Sequence, residues 1–75
     1  MREEIFQLLS AENPEIDFMA SDELVEDGIL DSLTIVSVIG TLSMEYGIEI
    51  PYEEIIPENF NSIDAMAAMV ERLMS

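Results

Sequence analysis

Cysteine and histidine are both missing from this chain, and each absence closes a class of function. Without cysteine there is no disulfide framework, no thiolate metal site and no thiol nucleophile, which excludes a secreted disulfide scaffold. Without histidine the usual general base and the commonest transition-metal ligand are gone, leaving carboxylates, Ser, Thr and Tyr as the chemical groups. Basic residues are scarce as well: Arg2 and Arg72 stand against 17 acids, for a formal net charge of -15. Such a charge repels nucleic acid and anionic membrane surfaces, so the expected partners are basic proteins. No apolar run approaches the roughly 18 residues of a membrane span, and Met1-Arg2-Glu3-Glu4 has no apolar signal core. These features predict a free-standing, monomeric cytoplasmic protein that is not an enzyme and holds no metal.

What is present suits a small core. Apolar residues make up 49% of the 75 residues, enough for one domain over 1–75 rather than a disordered acidic chain. Ile5, Leu8 and Leu9 recur at helical spacing until Asn13-Pro14, predicting a first helix over about 2–12. Residues 14–31 mix acids with Ile16, Phe18, Leu24, Val25, Ile29 and Leu30, and read as an ordered connector with a short turn at Asp22 to Val25. Ser32 to Tyr46 is the clearest helix, with Asp31 as its N-cap and Gly47 as its stop. Pro51 suits a first helical position, which predicts a short helix over about 51–56, as little as a single turn, ending before Pro57. Asn61 or Ser62 can cap a last helix that carries Ile63, Met66, Ala67, Val70, Leu73 and Met74 on one face. The fold class expected is all-α: a small antiparallel bundle of three longer helices and one short one.

The second helix has two apolar faces. At about 100° per residue, Ile35, Val38, Ile39, Leu42 and Tyr46 form a complete core-facing stripe. Leu33, Val36, Gly40 and Met44 cluster on the other side, either as a docking strip or as a surface that the connector folds over and buries. Exposure of Val36 and Met44 separates those two readings.

Asp31-Ser32-Leu33 lies where the acidic connector meets a helix N-terminus, whose free N–H groups and positive dipole end favour an attached phosphate. By itself the pair is an ordinary cap. However, Gly28-Ile29-Leu30-Asp31-Ser32-Leu33 followed by an apolar helix closely resembles the phosphopantetheine attachment motif of acyl carrier proteins. Tyr46-Gly47-Ile48-Glu49-Ile50-Pro51 and Glu58-Asn59-Phe60-Asn61-Ser62-Ile63 are similar to later segments of that family, in the same order. The resemblance implies that a phosphopantetheinyl transferase moves 4'-phosphopantetheine from coenzyme A onto Ser32, with Asp31 helping to present the hydroxyl. It further implies thioester cargo on the arm, charged by an activating ligase or acyltransferase with a basic docking surface. Leu33, Val36 and Met44 would contact such partners, with Glu53 and Glu54 in an acidic rim. The working thiol would then belong to the cofactor, which accounts for a carrier without cysteine.

Fatty-acid synthesis members of the family carry acids along the partner face of the second helix, where this chain has Thr34, Ser37 and Ser43. The Gly-Ile-Leu-Asp-Ser-Leu form looks more like D-alanyl carrier proteins and other dedicated stand-alone carriers. Two alternatives compete: an unmodified acidic helical interaction protein, and a calcium-binding protein. An EF-hand with Gly28 as its sixth loop residue would put ligands at Glu23, Val25 and Asp27 and the bidentate position at Thr34, so the pattern fails twice. A serine hydrolase is excluded, because Leu30 and Thr34 replace the glycines of a nucleophile elbow and no histidine serves as base.

Overall fold

The computed structural model describes residues 1–75 as an all-helical bundle without strands. Helix α1 is Arg2–Glu12, α2 is Ser32–Tyr46, α3 is Pro57–Phe60 and α4 is Ile63–Met74, with a single 3₁₀ turn at Tyr52–Glu54. The start of α1 has no side-chain cap. Its end is held by Asn13, whose backbone N–H and Nδ2 both donate to the Leu9 carbonyl, at 2.9 and 3.1 Å. Pro14 then forbids continuation. At the far end of α2, Gly47 takes a left-handed conformation (φ 61°), where a Cβ would be strained, and its N–H closes the helix onto the Ser43 carbonyl.

After α2 the expected short element is a single turn, but a second piece follows that the sequence does not predict. Pro51 precedes a lone 3₁₀ turn, and Pro57 opens a separate helix instead of stopping one. Proline at the first helical position forfeits only an N–H that has no partner there, so the same residue type that ends helices also begins them. Asn59 fastens the two short pieces together, its Nδ2 donating to the Glu54 carbonyl (2.7 Å) and to Glu54 Oε1 (2.8 Å). Ser62, not Asn61, caps α4, its Oγ accepting the Ala65 N–H at 3.0 Å.

One hydrophobic cluster unites all these pieces. Ile5 and Leu9 of α1, Val38 and Leu42 of α2, Phe60 of α3 and Ile63, Met66, Met69 and Val70 of α4 are all buried in it. The connector contributes Phe18, Leu24 and Leu30 to the same cluster, so it is ordered by packing despite its acids. Burying one such side chain contributes about 1.5–3 kcal/mol, which offsets the backbone entropy of only one or two residues. Hydrogen bonds must therefore fix the rest of the connector. Met66 and Met69 fill the core, whereas Met74 at the end of α4 is half exposed.

Helices α1 and α2 run antiparallel, with Tyr46 Oη donating to Glu4 Oε1 (3.2 Å) and Thr41 Oγ1 to Glu12 Oε1 (2.5 Å). Arg2 joins the start of α1 to the start of α4 through Asp64 at 2.8 Å. Arg72, in the last turn of α4, meets Glu54 Oε1 at 2.6 Å. No helix is long and apolar enough to cross a membrane.

Candidate functional site

Ser32 is the first residue of α2 and is exposed, and its hydroxyl enters no hydrogen bond within the chain. Asp31 directly precedes it in extended backbone and caps the helix, its Oδ1 accepting the Thr34 N–H at 2.8 Å. That bond, seconded by the Thr34 hydroxyl, holds the Asp31 carboxyl below its ordinary value of 3.8 against the opposing effect of burial. The N–H groups of Ser32 and Leu33 have no main-chain acceptor; that of Leu33 helps hold the Asp31 carboxylate, which leaves the Ser32 N–H beside the free hydroxyl. A phosphate ester fits here sterically, since the hydroxyl is on an exposed residue, and electrostatically, since it sits at the positive end of the helix dipole.

The connector brings its chain to this point through a tight turn at Leu24–Gly28, two residues later than the sequence suggested. Gly28 has φ 78°, a conformation that a side chain would strain, and this reversal returns the chain toward Leu24. The Ile29 and Leu30 N–H groups both donate to the Leu24 carbonyl, at 2.9 and 3.0 Å. With Leu30 buried, only Asp31 separates this closed turn from Ser32.

Outside the helix start, the expected partner residues separate clearly. Leu33, Val36 and Met44 are 81%, 66% and 87% exposed, so the connector does not cover this face of α2. Together with Gly40 they form an open apolar row on a helix whose residues 32–44 include no charge, bounded by Asp31 and Glu45. The opposite stripe packs inward as its spacing implied: Val38 and Leu42 are buried, while Ile35, Ile39 and Tyr46 lie against the core. Glu53 is exposed on the 3₁₀ turn, but Glu54 is already engaged by both Asn59 and Arg72. Tyr52, Ile55 and Ile56 add exposed apolar surface that the sequence did not single out.

Asn61 carries a role that the sequence does not disclose, where it is a possible cap for α4 and one position of the segment leading into it. It is buried, and its carbonyl accepts the Leu24 N–H at 2.9 Å. Its Oδ1 accepts the Val25 N–H (2.9 Å) and the Glu26 N–H (3.3 Å), and its Nδ2 donates to Glu26 Oε2 (2.9 Å). Local spacing carries no signal for contacts spanning 35 and 36 residues. No three acidic side chains are grouped so that they could hold a metal ion together. The largest surface groove, lined by Arg2, Glu3, Phe6, Met19 and Ile63, includes neither Ser32 nor its neighbours.

A family model described as "Phosphopantetheine attachment site" matches residues 2–70, nearly the whole chain. The search among curated proteins found no match. Members of the matched family are carriers rather than enzymes, and they hold 4'-phosphopantetheine covalently.

Proposed function

Because this chain belongs to the phosphopantetheine attachment-site family, and is thus a phosphopantetheine-bearing carrier protein, we propose that Ser32 is its attachment residue. The observation that carries this reading is the exposed, unengaged Ser32 hydroxyl at the start of α2, inside the matched span. In the loading reaction the hydroxyl loses its proton and Oγ bonds to the pantetheine-bearing phosphorus of coenzyme A. The pyrophosphate P–O bond breaks and adenosine 3',5'-bisphosphate leaves. A separate transferase supplies the base, as a chain without histidine suggests. Asp31 fixes the helix start and so the direction of the serine. Once attached, the arm supplies a thiol that holds cargo as a thioester.

The 75 residues act as one carrier domain in the cytoplasm, where coenzyme A is drawn on. Cargo is a short aminoacyl or other dedicated group, with D-alanine as the first candidate. In support, the core beside α2 is filled by fully buried Val38, Leu42 and Met66, and none of these lines a surface groove. Partners dock on Leu33, Val36 and Met44, with Glu53 meeting basic groups at the edge; Glu54, engaged internally, contributes less than Glu53.

Intact mass after incubation with coenzyme A and a broad-specificity phosphopantetheinyl transferase tests the assignment. One phosphopantetheine mass should be gained by the wild type and none by Ser32→Ala. An unmodified wild type, under conditions that load a control carrier, overturns it. Offering the loaded protein D-alanine with a D-alanine-activating ligase, in parallel with malonyl transfer, then decides cargo. Malonyl loading without alanyl loading rejects the aminoacyl assignment.

A further inference from the structure

Asn61 directs its whole side chain, together with its carbonyl, away from the helices on either side of it and into the connector. Capping of α4 is left to Ser62. The turn at Leu24–Gly28 is too short to satisfy its own first N–H groups, and Asn61 accepts three of them in succession, from Leu24, Val25 and Glu26. From there the links are continuous. Asn61 holds Leu24; the Leu24 carbonyl holds Ile29 and Leu30; Leu30 adjoins Asp31, which caps the helix that begins with Ser32. The same amide fixes the Glu26 carboxylate through Nδ2 at 2.9 Å.

We propose that Asn61 is a positioning residue for arm loading: it holds the surface around Ser32 in the shape that the transferase docks against. The proposal rests on Ser32 being the attachment residue. Ser32 itself stays on α2, which Val38 and Leu42 anchor in the core independently of Asn61. Loosening the connector therefore disturbs docking more than the transfer step. A preformed surface binds with less loss of chain entropy, and ordering a few residues at the moment of binding is worth about a factor of ten in affinity.

The test measures steady-state transfer from coenzyme A by the same broad-specificity transferase, well below the Tm of every variant. Asn61→Ala should raise KM for the carrier about tenfold and leave kcat within about twofold. A core variant matched to it in Tm, Ile5→Val or Leu9→Ala, should leave both near wild type. Asn61→Asp keeps the acceptor for Val25 and Glu26 but sets a carboxylate against Glu26, so its KM should also rise. Glu26→Gln preserves the contact and reports the charge of Glu26 alone. Combined with Asn61→Asp it restores a donor and acceptor pair of reversed polarity and should return KM to that of Glu26→Gln. Equal KM for Asn61→Ala and the matched core variant overturns the proposal, as does a double variant no better than Asn61→Asp. A wild type that gains no mass removes the premise as well, whereas a loaded wild type with an indifferent Asn61→Ala removes the proposal alone.

Discussion

The Asp31 carboxylate accepts the Thr34 N–H, so the folded chain favours its ionised form and its pKa lies below 3.8. The sign follows directly. The stabilisation from this cap is present above the unfolded value and is lost as pH falls through the lower folded value. An NMR titration should give Asp31 a midpoint under 3.8, with the Thr34 amide shift following the same curve; a midpoint at or above 3.8 would contradict the capping bond. At neutral pH Asp31 is therefore ionised beside the Ser32 hydroxyl. Asp31 as the cap of α2 was legible in the sequence because capping depends on adjacent residues, whereas Ser32 stood out only through the resemblance of its motif. Asn61 was not legible, because its partners lie 35 and 36 residues away and an asparagine before a helix reads first as a local cap.

Within α2 the clearest expectation concerns Gly40. It stands in a helix interior, and a Cβ built there meets nothing within 4 Å. Alanine is preferred to glycine in such a position by about 0.5–1 kcal/mol. Gly40→Ala should accordingly raise the Tm by several degrees, read by circular dichroism; an unchanged or lower Tm would mean that α2 is strained where the geometry shows it free. Gly28 and Gly47 behave differently, because their positive φ makes any side chain costly. The three long helices could be read from sequence to within a residue or so, since each has an apolar period and a local stop or cap. The stretch around Pro51 and Pro57 could not, since a proline marks a boundary without saying which side is helical. The row of Leu33, Val36 and Met44 was legible as a pattern, but only the path of the connector determines that it stays open.

For the molecule as a whole, charge is the dominant uncompensated quantity. Both arginines are in ion pairs, Arg2 with Asp64 and Arg72 with Glu54, and 15 acids remain beyond those two partners. The principal extents are 29 × 23 × 19 Å, whereas the screening length is about 30 Å at 0.01 M salt and about 3 Å at 1 M. At low salt every carboxylate thus feels nearly every other, and at high salt almost none does. Thermal stability should rise by several degrees between roughly 10 mM and 0.5 M sodium chloride. A flat or falling Tm would show that the fold is indifferent to its own charge. The 36-residue reach from Asn61 back to Val25 bears on synthesis as well. A chain made from its N-terminus has the connector before Asn61 is added, so the first N–H groups of the Leu24–Gly28 turn stay without their acceptors until the C-terminal third joins them. With Ser32 and Asn61 in the roles proposed above, a chain cut short before its last helix should be loaded with the raised KM of Asn61→Ala, and the arm would be gained preferentially by folded, full-length protein.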